Sequence, residues 1–434
     1  MVEADLIDEG PLAPPSRVRR VAIAALAVAL VGAMVVGLWP AAPVTVAPVT
    51  VAAEPADTDV VTILAGSPAS IDPAYHGDLG SASFISQLFE TLTAVDPALE
   101  VRPALAEAWT VEDEGRRVTF TLRPGLQFSD GTPLTATDVV HSWRRLFNPG
   151  NPSPLASLVA DIVGARALLT GQATDIATLG IRAEGDRTVV VDLERGGGDL
   201  PAIVSGAPFA VVPPSATADE IVPMPGGFVG SGGYVLESVR PDAFVLTANP
   251  RYWAGEPAIR TVHMLATLNG GSPLDAFVEG TVDVTPVSYL DAGWIAYDRE
   301  LGPSLRSDAD LSVTYYGFDT MQPPFDDVGV RQAFAQAVDW RRLALLDNPG
   351  SSVPASGMVP AGMPGAPEGD FMPPYDPGAA RRLLADAGYP GGQGLGPISF
   401  IGSGGGYDQA IVTMLAENLG VTIDYATMDF AAYQ

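Results

Sequence analysis

The side chains able to do chemistry in this sequence are few and far apart. Its three histidines, His76, His141 and His263, are separated by at least 65 residues, so no pair sits at a metal-ligand spacing on one helix. There is no cysteine and no lysine. That excludes a thiolate nucleophile, a zinc–thiolate knot, an iron–sulfur site, a Schiff base and a P-loop lysine. No GxSxG, HExxH or CxxC occurs. The carboxylates Asp326, Asp327 and Asp376 each stand just before an apolar helical run, where they read as helix caps and not as an acid–base pair. These residues thus mark no nucleophile, metal or cofactor site, and leave carboxylate-only catalysis as the one chemistry open to them.

The elements that must position a binding site follow from pattern. The 434 residues carry 51 acidic and 23 basic side chains, a formal net charge of −28. Phosphate repulsion at that charge argues against nucleic acid as a partner, and the length allows about three domains. From Val60 onward short alternating runs interleave with helical patterns, the signature of an α/β protein. Residues 60–64 read as a first strand and 83–92 as a helix with Phe84, Leu88 and Phe89 on one side. Residues 118–122 alternate as a strand, and Thr135 with Asp138 forms a capping box ahead of a helix bearing Val139, Val140 and Trp143. A hairpin pairs 234–239 with 244–248 through Pro241. Further helices open at Asp327 and Asp376; a strand at 397–401, a helix at 407–419 and a parallel strand at 421–425 close the series. Trp109, Trp143 and Trp253 read as core, and Trp294 as part of a packed helical face with Tyr289 and Tyr297.

Ahead of these lies an uncharged run, 21–39, preceded by Arg17, Arg19 and Arg20. Its length is close to the ~20 residues that span a bilayer core. The basic flank predicts a short cytoplasmic tail (1–20) with everything after Trp39 exported. The run reads as a transmembrane anchor or a signal segment. Trp39 and Pro40, standing where a cleavage site wants small residues, favour the anchor. Residues 40–59 form a Pro/Ala-rich tether.

Several stretches then carry a resemblance: DPAYHGDLGSASFISQLFETL, FSDGTPLTATDVVHSWRRLFNP, GSGGYVLESV with ANPRYWAGEPAI, PPFDDVGVRQAFAQAVD, and YDPGAARRLLADAGYP. In this order, over about residues 60–425, the chain resembles the extracytoplasmic solute-binding proteins, family 5 (oligopeptide/dipeptide/nickel type), that feed ABC importers. It looks most like the oligopeptide branch. The resemblance implies a periplasmic-binding-protein type II-like fold, two lobes built from three domains: a discontinuous first lobe (60–93 and 182–284), an inserted small domain (94–181) and a second lobe (285–434). Family members continue past the point matching Gln434, so the second lobe is expected to be C-terminally incomplete. The implied function is capture of a peptide in an interlobe cleft by a monomer hung outside the membrane, and delivery to ABC permease subunits with their ATPase. A membrane-tethered peptide sensor and an extracytoplasmic hydrolase are the alternatives. By the same resemblance, ligand contacts fall on Tyr75, His76 and Asp78 after the first strand, and on Thr285 and Ser288 after a hinge strand. Tyr315 and Tyr316 belong on a second-lobe strand, 313–316, offering apolar area with a polar tip. Hinge candidates are 260–267 and 282–287.

Overall fold

Residues 59–427, other than 77, 217–226, 309–310, 348–351, 403 and 405, are described in a computed structural model. The expected span at 21–39, its tail and its tether lie outside the described residues. No helix among the described residues is long and apolar enough to cross a membrane.

β1 (Val60–Leu64) runs parallel to β10 (Thr261–Leu265), with Val60 opposite Thr261 and Leu64 opposite Leu265. β10 pairs antiparallel with β9 (Ala243–Ala248), which forms a hairpin with β8 (Tyr234–Val239). On its other side β1 meets Val284 in a parallel bridge, and the Leu64 amide donates to the Val284 carbonyl at 2.9 Å. Both hinge candidates therefore converge on β1. α1 (Leu79–Leu88) packs over this sheet through Phe84, Ile85 and Leu88, which meet Leu236, Leu246, Val262 and Met264. The helix begins four residues before the expected start at 83. The Asp78 carboxylate accepts the Ser81 amide at 2.8 Å, which offsets the poor helix propensity of Gly80 and Ser81. Phe89 turns to extended backbone and ends it.

A second sheet has the order β4 (Ala106–Glu112), β5 (Arg117–Leu122), β7 (Thr188–Asp192), β6 (Ile181–Glu184), all antiparallel. β5 alternates as expected, burying Val118, Phe120 and Leu122. α2 (Ala136–Arg145) lies against it, with the Trp143 ring edge-on to Phe120 and Phe209. The sheet takes in β6 and β7, and the border expected at 181 falls one residue into β6.

A third core gathers α7 (Val328–Gln336), α8 (Trp340–Asp347), α9 (Pro377–Asp386) and α10 (Gly406–Leu419) around Phe334, Leu384, Ile411 and Leu415. β11 (Ile398–Gly402) and β12 (Ile423–Thr427) pair in parallel across α10. The expected strand at 313–316 is absent: residues 311–319 have no strand or helix. Two shorter helices, α5 (Pro273–Val278) and α6 (Tyr289–Ile295), flank the segment that bridges to β1.

Candidate functional site

Parallel strands leave their carboxyl ends in register, and a crevice forms where the connections diverge. Here the ends of β1 and β10 bound an open cavity of about 420 Å³. One wall is residues 64–66, the other 266–268 with the following glycine turn, and Pro273 and Pro286 close the sides. The walls are held by main-chain bonds. The amides of Ala65 and Gly66 both donate to the Leu265 carbonyl, at 3.0 and 3.2 Å, and the Ala266 amide donates to the Asp242 carbonyl at 2.7 Å. Asn269 (φ 52°) and Gly270 (φ 91°) turn the loop through left-handed backbone, and the Gly271 amide returns to the Leu268 carbonyl at 3.0 Å. No ionisable side chain lines the cavity.

None of the seven residues expected at the ligand stands in that wall, although Pro286 lies between Thr285 and Ser288. Tyr75, His76 and Asp78 are together in one loop. The Tyr75 hydroxyl donates to the Asn151 carbonyl at 2.8 Å, and the Ser153 hydroxyl donates to the Ala74 carbonyl at 2.5 Å, tying this loop to the insertion. His76 is only 9% exposed, and its ring nitrogens make no hydrogen bond of good geometry among the described residues. Burial pulls its pKa below the usual 6.5 against the opposing pull of Asp78 and Asp72. For Asp78 burial works upward, but the Ser81 hydroxyl and amide outweigh it and hold the carboxyl below the usual range. Its local work is to cap α1.

Thr285 is half-buried and Ser288 caps α6. The Ser288 hydroxyl donates to Asp291 at 2.7 Å, and the other Asp291 oxygen accepts the Trp294 indole N–H at 3.3 Å. That short relay fixes an indole that is 47% exposed, beside the exposed Leu290 and Tyr297. The packed face expected for Trp294 is thus corrected: Ile295 turns inward while Trp294 and Tyr297 face out. Tyr315 is exposed, but Tyr316 donates to Asp408 at 2.6 Å and packs on Phe400 and Trp340. Burial and the Asp408 charge raise its pKa far above the usual range. Tyr316 thus packs against the third core, and no strand among the described residues pairs with its segment.

Sequence reasoning missed the cavity walls. The available signal was that β1 and β10 each run into glycine, in Ala65-Gly66 and Asn269-Gly270-Gly271, which marks close backbone approach. Among the described residues no group of His, Asp and Glu is placed to hold a metal.

Comparison with known proteins fits this geometry. A family model described as bacterial extracellular solute-binding proteins, family 5 Middle, matches residues 100–434. The chain is 31% identical over 381 residues to the Escherichia coli protein named "Probable deoxycholate-binding periplasmic protein YgiS", covering 84% of this chain and 70% of that protein. It is 29% identical to the Escherichia coli periplasmic oligopeptide-binding protein OppA, covering 74% of this chain and 61% of OppA. The solved structure of the Escherichia coli murein tripeptide binding protein MppA superposes with a TM-score of 0.71 at 27% identity, over 86% of this chain and 75% of that one. Such neighbours have the mixed α/β periplasmic-binding-protein type II fold.

Proposed function

Because the chain belongs to the bacterial extracellular solute-binding proteins, family 5, whose members here are binding proteins and not enzymes, we propose that it captures peptides, oligopeptides among them, and hands them to ABC permease subunits. The observation that carries this reading is the crevice at the carboxyl ends of β1 and β10, where both candidate hinge segments meet β1. A receptor for many peptides gains most by bonding the ligand's backbone as an added strand and leaving its side chains to roomy pockets. Lobes joined through hinge strands close on the ligand, and closure is what a permease can read. We place the first lobe at 60–93 and 182–284, the inserted small domain at 94–181 and the second lobe at 285–434. In this reading Tyr75, His76, Asp78, Thr285, Ser288, Tyr315 and Tyr316 contact the peptide. Residues 21–39 anchor the monomer outside the cytoplasm.

Titration calorimetry of the full chain with tripeptides tests the reading. Saturable one-to-one binding with the peptide recovered intact is expected. Cleavage of the peptide would move the protein to the hydrolase alternative, and silence with every peptide would remove peptides as its solutes.

A further inference from the structure

Building on the receptor reading, we propose that the crevice between β1 and β10 is a pocket for a compact, uncharged, apolar group of the ligand. The volume, about 420 Å³, falls in the range of small-molecule sites. Its chemistry is one-sided. No Arg, Asp, Glu or His lines it, so a charge entering it would find no counter-ion. Five of the wall amides already donate to protein carbonyls: Leu64 to Val284, Ala65 and Gly66 to Leu265, Ala266 to Asp242, Gly271 to Leu268. Pro273 and Pro286 have no N–H to offer. The side chains the wall offers a ligand are Leu64, Ala65, Ala266, Leu268 and the proline rings, with one hydroxyl, that of Thr267, which accepts the Asn269 amide at 3.0 Å. An apolar side chain of a peptide and the ring system of an amphiphile share that chemistry.

The test uses the full chain and four kinds of probe: Gly-Gly-Gly, Gly-Phe-Gly against Gly-Glu-Gly and Gly-Arg-Gly, N-acetyl-phenylalaninamide, and deoxycholate. Ala266→Trp fills the pocket, and Leu268→Asp puts a charge in it should the first variant fail to fold. Gly-Phe-Gly is expected to bind about tenfold tighter than its charged counterparts, and either variant should erase that margin. A margin absent from the parent chain, or surviving both variants, overturns the pocket while Gly-Gly-Gly binding keeps the receptor reading. Binding of N-acetyl-phenylalaninamide that the variants abolish, with no peptide bound, keeps the pocket and overturns the peptide reading. Variant-sensitive binding of deoxycholate in place of Gly-Phe-Gly identifies the amphiphile as the source, and no binding of any probe overturns both.

Discussion

Arg145 and Asp72 form a buried ion pair, 2.6 Å apart, with side-chain exposures of 4% and 0%. Asp72 also accepts the Ala74 amide at 2.9 Å, so the pair ties α2 of the insertion to the loop that carries His76. Removing one partner strands the other charge in low dielectric. Arg145→Ala is therefore expected to cost about 3–5 kcal/mol in urea unfolding, and a loss near the ~0–1 kcal/mol of a surface pair would show that water reaches the carboxylate. His76 gives a pH signature. Its folded pKa is lowered, so below about pH 6.5 the unfolded chain takes up a proton that the folded chain resists. Stability from this residue is full above that pH and falls as pH drops through it. Urea unfolding should show His76→Leu gaining on the parent chain between pH 7 and about pH 5; equal pH profiles would mean that the imidazole is solvated. The loop of Tyr75, His76 and Asp78 was legible in the sequence. The role of Tyr316 was not, because its partner Asp408 lies 92 residues away and no local pattern encodes that meeting.

At the scale of elements, α2 shows how much a local signal can specify. The Asp138 carboxylate accepts both the Thr135 amide at 2.7 Å and its hydroxyl at 2.9 Å, as the spacing implies, and Val139 and Trp143 turn into the core. Asp138→Ala should lower stability by about 1 kcal/mol, read as a drop in thermal midpoint with an unchanged circular dichroism spectrum; no drop would mean that solvent replaces the cap. β5, α2 and the β8–β9 hairpin were legible for the same reason, since period and turn chemistry are written within a few residues. The strand at 313–316 was misread because an extended aromatic run becomes a strand only when another strand bonds to it. That β7 would pair with β5, about 70 residues upstream, with β6 beyond it, was not legible, because no local pattern encodes so distant a partner.

Across the whole molecule the acidic excess is unevenly answered. Every ion pair among the described residues falls between Asp59 and Arg260, while the formal charge of the chain is −28. Like charges repel over the ~30 Å Debye length of dilute salt and much less over the ~8 Å of physiological salt. The thermal midpoint should therefore climb as sodium chloride is raised from about 10 to about 150 mM. A flat or falling midpoint would mean that short-range attractions govern. The fold class was legible at this scale through ordered motifs; the crevice was not, because its walls come from chain ends that only the sheet assembles. That assembly also has a timetable. β1 emerges from the ribosome about 200 residues before β10, its partner strand in the sheet, has been made. Pairing across so long a loop is slow, so the leading strand stays without its sheet partner through most of synthesis, and an unfolded polypeptide is the form that a secretion channel accepts.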